Sequence, residues 1–315
     1  MAFKRGPLEI PEPVRRRALA EGAAGEAWLA GLPGLVEGLA ADWELELGRV
    51  LTGGTDGLVA EVTLADGRPA VLKVAGPGRD ATVRELDALL EARGRGYADV
   101  YRHDRARGAM LLERLGTPLA ALGWSVEAQL EAICATLNVA WARPSAAAGF
   151  ITGAEKAERL EAFILELQDA LGRPCSEQLV ARVRTFADAR QRAHAPETAV
   201  LGHGDAHAWN TLKVPGGGAD RFKFIDPDGL LIEKAYDLGV VMREWTSELL
   251  AGDPVALGRA RRDRLVALTG ANPEAVWQWG LLECTSTGLA CLKLGLDGGR
   301  ELLTVAEAWA GADPG

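Results

Sequence analysis

Two short stretches decide the reading of this chain: LGHGDAHAWNTLKV, Leu201 to Val214, and FKFIDPDG, Phe222 to Gly229. The chain has only four His, yet two of them fall within five residues here, flanking Asp205. Asn210 follows after four further positions, and Asp226 closes the next apolar run. Ala199 to Gly202, Thr211 to Val214 and Phe222 to Ile225 have the short apolar character of strands, with PGGGAD between the last two as a loose hairpin. The polar residues are therefore either a turn between strands or a reactive loop held by them.

Working outward, the segment before this loop changes character near Arg114 to Thr117. Residues 13 to 31 read as an amphipathic helix ended by GLPG. Leu45, Leu47, Val50, Val59, Val62 and Leu64 fall in strand-like patterns, with TGGTDG and the Asp66-Gly67 pair as turns. AVLKV, residues 70 to 74, is a further strand, and DATVRELDALLEAR, residues 80 to 93, has helical spacing. GAMLLERLG, residues 108 to 116, reads as a buried strand that runs into a connector. Beyond it, residues 125–142, 154–171, 175–193, 235–251, 256–269 and 273–295 read as helices. The expectation is an α+β chain: a small β-rich lobe over residues 1–114 and a larger helical lobe over 115–315.

Four pieces then stand in order. A Gly-rich turn, LTGGTDGLVAEV, lets backbone N–H groups come close to phosphates, although a plain hairpin turn has the same composition. Lys73 sits inside a β run, where its ammonium needs a partner. Glu85 on the next helix is the natural one, ahead of Asp87 and Glu91. Asp205 with Asn210, and then Asp226, complete the set. Phosphoryl transfer to a hydroxyl requires a carboxylate near the hydroxyl proton and oxygen ligands for Mg²⁺, since hard cations favour Asp and Asn oxygens. His203-Gly204-Asp205, four residues, Asn210, then Asp226-Pro227-Asp228-Gly229 follows the order found in kinases.

On these residues the chain resembles the aminoglycoside phosphotransferase family of small-molecule kinases. HGDAHAWN and IDPDG are similar to that family's paired signatures. AYDLGVVMREW and LECTSTGL resemble the branch that holds streptomycin 6-kinase and hydroxyurea phosphotransferase. The resemblance implies a bilobal protein-kinase-like fold and ATP with Mg²⁺ as cofactors. It implies Asp205 as the catalytic residue, Asn210 and Asp226 as metal ligands, and Lys73 with Glu85 as a phosphate clamp. LLERL is similar to the family's lobe connector, so backbone groups of Glu113 and Leu115 are expected to meet adenine. Gly53 and Gly54 belong to the phosphate loop, whose pattern departs from the family's.

Other polar residues carry alternative readings. His203 reads as scaffold, its ring bonding nearby backbone. His203, Asp205 and His207 together form an H-x-D-x-H string, which also fits a metal hydrolase, but no third His cluster accompanies it. His207 is expected on the substrate side of the loop or in solvent. Asp228 assists a second Mg²⁺ site, contacts substrate or closes its own turn before Gly229. Asp237 is expected to cap a helix. Glu244 and Glu283 are candidates for holding a guanidinium or amine of the substrate, against a solvated helix face. Trp209, Trp245, Trp277 and Trp279 read as core or pocket wall, with core as the default.

The whole-chain numbers bound the partners. With 315 residues, two lobes are expected. A net charge of −9 disfavours nucleic acid and anionic membrane surfaces and suits a cationic small molecule. The four Cys fit no zinc spacing and read as buried thiols of a reducing compartment. The N-terminus lacks the apolar stretch of a secretory signal, and no run is long enough to span a bilayer, so a cytoplasmic location is expected. The sequence leaves monomer and dimer open.

Overall fold

The structure, a computed structural model, describes residues 8–52, 57–78, 80–145, 149–218 and 221–312. The chain divides into two compact units, Met1–Gly116 and Thr117–Gly315.

In the first unit, α1 (Glu12–Leu19) and α2 (Ala23–Trp43) precede β1 (Glu46–Leu51), β2 (Gly57–Thr63) and β3 (Pro69–Ala75). Then come α3 (Asp80–Ala92), β4 (Val100–Asp104) and β5 (Ala109–Glu113). The strands form one antiparallel sheet in the order β1-β2-β3-β5-β4. Asp66-Gly67 lies in the β2–β3 turn as the sequence indicates, with Thr63 opposite Pro69. The expected helix over 13–31 is corrected. The chain breaks at Gly22, at φ 61°, and α2 then runs straight through Pro33 of GLPG. Leu32, Val36, Leu39 and Ala40 explain this, because all four are buried against Leu47, Leu58, Val62, Leu72 and Val74 of the sheet. A helix-interior Pro costs about 3 kcal/mol. Burying side chains of this kind gains roughly 1.5–3 kcal/mol each, so packing overrides the local signal. The edge strand β4 was not anticipated: its exposed Tyr101, Arg102 and His103 carry no alternation.

The second unit holds α4 (Val126–Ala140), β6 (Ile151–Thr152), α5 (Gly153–Ala170) and α6 (Glu177–Ala193). Next come β7 (Val200–Gly202), β8 (Thr211–Lys213), β9 (Phe222–Phe224) and β10 (Leu230–Ile232). Helices α7 (Lys234–Arg243), α8 (Thr246–Leu249), α9 (Pro254–Thr269), α10 (Pro273–Leu294) and α11 (Gly299–Ala310) complete it. Helix α10 is the centre. Ala275 to Ser286 is buried without interruption, with Gln278, Glu283, Thr285 and Ser286 enclosed among apolar residues. Gly239 of α7 and Gly280 of α10 allow the two backbones to meet. A Cβ at Gly239 would stand 2.5 Å from Trp279 Cβ, and one at Gly280 would stand 2.9 Å from Met242 Cβ. This close approach brings the C-terminal end of α7 beside Glu283.

Three expectations are corrected in this unit. The helix over 235–251 is two helices, broken at Trp245, which takes φ 48°. The Arg261 guanidinium accounts for the break by donating to the carbonyls of Met242, Glu244 and Trp245. Helix α11 and strands β6 and β10 went unrecognised, the strands because two or three residues are too few to show a period. Of the four Trp expected in the core, Trp277 and Trp279 are fully buried, but Trp209 is 61% exposed. No described helix is long and apolar enough to cross a membrane.

Candidate active site

Two loops meet in the second unit. One, residues 203–210, joins β7 to β8, and the other, residues 225–229, joins β9 to β10. The β8–β9 ladder pairs Thr211 with Phe224, and the Ile225 N–H donates to the Asn210 carbonyl at 3.0 Å. Asn210 and Asp226 therefore stand at adjoining strand ends. The Asp228 N–H donates to the His203 carbonyl at 2.7 Å and closes the second loop on the first.

The first loop is fixed from below by Asp237, which is fully buried on α7. Its carboxylate accepts from the backbone N–H of His203 (3.0 Å), that of Gly204 (2.8 Å) and Trp141 Nε1 (2.8 Å). The expectation that Asp237 caps its own helix is corrected: the cap position is Glu233, and Asp237 organises the loop. His203 is scaffold, as its reading proposed. Its Nδ1 accepts from the Asp205 N–H at 3.0 Å, so Nε2 is the donor to the Ile225 carbonyl at 2.9 Å. With both ring nitrogens engaged by backbone, His203 is unsuited to the metal-hydrolase reading. Among the described residues no cluster of three or more His, Cys, Asp or Glu could hold a metal.

Gly204 is required by this arrangement. It has φ 94°, and a Cβ there would stand 2.5 Å from Asp228 Cβ. Gly204→Ala is expected to cost about 2–4 kcal/mol from backbone strain and overpacking. Denaturant unfolding checks this, and a cost under about 0.5 kcal/mol, the range of a plain surface substitution, would contradict it.

Asp205 projects from this frame and is half-buried. Arg243 Nη2 lies 2.6 Å from its Oδ1. His207 Nε2 lies 3.1 Å from its Oδ2, and Asn210 Nδ2 donates to the same oxygen at 3.4 Å and to the Asp205 carbonyl at 3.0 Å. Burial alone would raise the Asp205 carboxyl, but the His207 bond and the charges of His207 and Arg243 outweigh it and hold the group well below the usual carboxylate range. Burial opposes charge on His207 in turn, and its bond to Asp205 more than offsets this and raises it. His207 therefore contacts Asp205 directly rather than facing solvent.

Glu244 and Glu283 do face a guanidinium, but it is the chain's own. Glu283, buried on α10, accepts from Tyr236 Oη at 2.6 Å and from Arg243 Nη1. Glu244 Oε1 lies 3.6 Å from Arg243 Nε. Asp228 is half-exposed, with Lys156 Nζ 3.7 Å away, and the same ammonium stands 5.2 Å from the Tyr236 ring centre. Asp226 is exposed, at φ 57°. Arg243, Tyr236 and Lys156 were not assigned to the site from sequence. Tyr236 and Arg243 both fall in the AYDLGVVMREW stretch, whereas Lys156 gave no signal.

In the first unit, Lys73 Nζ on β3 lies 2.7 Å from both carboxylate oxygens of Glu85 on α3, and Glu85 is buried. Asp87 pairs instead with Arg105. At the end of β5, the Glu113 N–H donates to the Asp99 carbonyl, and the Leu115 carbonyl accepts from Arg114 Nη1. These two of the backbone groups expected to meet a base are thus engaged within the unit. Gly53 and Gly54 lie outside the described residues.

The family described as "Aminoglycoside/hydroxyurea antibiotic resistance kinase" matches residues 43–293. Streptomycin 6-kinase of Streptomyces glaucescens is 30% identical over 87% of this chain and 89% of its own. Streptomycin 6-kinase of Streptomyces griseus is 29% identical over 92% of each. Among solved structures, choline kinase LicA from Streptococcus pneumoniae superposes with a TM-score of 0.61 over 89% of this chain and 99% of its own, at 15% identity. That likeness shows the α+β, protein-kinase-like fold. The chain belongs to the aminoglycoside/hydroxyurea antibiotic resistance kinase family and is an O-phosphotransferase with a hydroxyl acceptor.

Proposed function

We propose that the chain transfers the γ-phosphate of ATP to a hydroxyl of streptomycin or a close aminoglycoside, with Asp205 as the group that receives the hydroxyl proton. The observation that carries this reading is the Asp205 loop. Its backbone is anchored by Asp237 and His203, while its carboxylate projects beside Asn210. The bond formed joins the acceptor oxygen to phosphorus. The bond broken joins that phosphorus to the oxygen bridging to ADP, and the acceptor proton passes to Asp205.

On this reading Lys73 binds nucleotide phosphates as a point charge, a role its pairing with Glu85 supports. Asn210 turns its Nδ2 to Asp205, which makes Oδ1 the atom offered to a cation, and Asp226 adds an exposed carboxylate. One amide and one carboxylate fit Mg²⁺, which takes few protein ligands and completes its shell with water and phosphate. When bound, the metal supplies charge neutralisation on the phosphates. The net charge of −9 suits a cationic acceptor. Both streptomycin 6-kinases span most of this chain, which favours that acceptor over hydroxyurea, the other substrate in the family's description.

ADP release by the purified chain, with ATP and Mg²⁺, tests the acceptor. Stimulation by streptomycin and not by hydroxyurea is expected. The reverse would transfer the assignment to the second substrate, and stimulation by neither would sink both.

A further inference from the structure

The Asp205 carboxylate is also held by a residue outside its own loop. Arg243 places one guanidinium nitrogen 2.6 Å from Asp205 Oδ1 and the other on the buried Glu283. Each of these groups is itself fixed. Glu283 is anchored by Tyr236 Oη on its other oxygen. The backbone that carries Arg243 is set by the three carbonyls that Arg261 gathers, which also hold Trp245 in its left-handed conformation. Such construction is not explained by stability, because burying an ion pair costs several kcal/mol of desolvation per ion and often does no more than break even. The guanidinium fork suits another task, since it can grip two carboxylates at a fixed angle, which an ammonium cannot.

An ionised carboxylate offers about four lone-pair positions. Arg243 takes one on Oδ1, and His207 with Asn210 takes two on Oδ2. One position remains, on the oxygen that Arg243 holds.

We infer that Arg243 is a positioning residue for phosphoryl transfer: braced by Glu283 and Tyr236, it fixes Asp205 Oδ1 where the acceptor hydroxyl meets it. This rests on the proposed role of Asp205. Arg243 contacts neither nucleotide nor metal ligand in this account. Its loss acts on the reactive geometry rather than on binding.

The test uses the full chain with ATP, Mg²⁺ and streptomycin. Arg243→Ala is expected to lower kcat by about 10–100-fold, the scale of a misplacement near 1 Å, with both KM values nearly unchanged. Millimolar guanidinium chloride should restore part of that loss, and equal sodium chloride should not. Arg243→Lys should stay impaired, because a point charge cannot replace the fork. Should Arg243→Ala misfold from the uncompensated Glu283, the double variant Arg243→Ala with Glu283→Gln keeps the buried charge even and is expected to show the same kcat loss. A folded Arg243→Ala or double variant with wild-type kcat would overturn the inference. So would a raised streptomycin KM at unchanged kcat. Asp205→Asn with full turnover would overturn the reading beneath it instead, and thus separates the two failures.

Discussion

Asp205→Asn is expected to reduce kcat by about 10²–10⁴-fold, or about 3–5 kcal/mol of barrier, while the fold survives. The two effects separate because the loop backbone does not depend on the Asp205 side chain. The N–H groups of His203 and Gly204 bond Asp237, and the Asp205 N–H bonds the His203 ring. An amide keeps the shape of the carboxylate and can still accept from Arg243, but it is too weak a base to take the acceptor proton. Thermal unfolding should stay within a few degrees of the parent. A variant that retained most of its turnover would remove Asp205 from the chemistry. One that unfolded would show that its charge serves the fold.

Asp237→Ala should reverse that pattern, with a large loss of stability and activity together. Removing this carboxylate leaves three buried donors without their acceptor: Trp141 Nε1 and the backbone N–H groups of His203 and Gly204. At about 1–3 kcal/mol for each orphaned group, and allowing for partial relaxation, the cost is about 3–6 kcal/mol. The same two backbone bonds set the direction in which Asp205 leaves the loop, so turnover should fall in whatever fraction remains folded. Asp237→Asn keeps one acceptor oxygen and should fall between the variant and the parent. Denaturant unfolding measures the first effect and kcat per folded molecule the second. A loss below 1 kcal/mol would mean that the loop is held by other means.

The sequence was most informative where chemistry is local. Asp205 and Asn210 stand five residues apart, and a single hairpin joins them to Asp226, so their proximity could be read from spacing alone. The Lys73–Glu85 pair was legible because an ammonium within a β run demands a carboxylate. Long-range placement was not legible. Glu283 is 40 residues from Arg243 and 47 from Tyr236, and the close packing of α7 on α10 at Gly239 and Gly280 brings them together. Read alone, Glu244 and Glu283 were acidic groups in search of a cation. Arg243 stands directly before Glu244 in the sequence, but nothing there showed that it also reaches Glu283. Asp237 was misassigned for a related reason: the first turn of a helix is the usual place for a capping carboxylate, and the loop that Asp237 holds lies more than 30 residues earlier. The helix boundaries failed where packing overrode propensity, as at Pro33, and where a side chain distant in sequence captured carbonyls, as Arg261 does at Trp245.

The most direct test of the account is the mass of streptomycin after incubation with the purified chain, ATP and Mg²⁺. The expected result is a product heavier by one phosphoryl group, formed by the parent and not by Asp205→Asn. Streptomycin recovered unchanged, or carrying a nucleotidyl group instead, would contradict the proposed reaction.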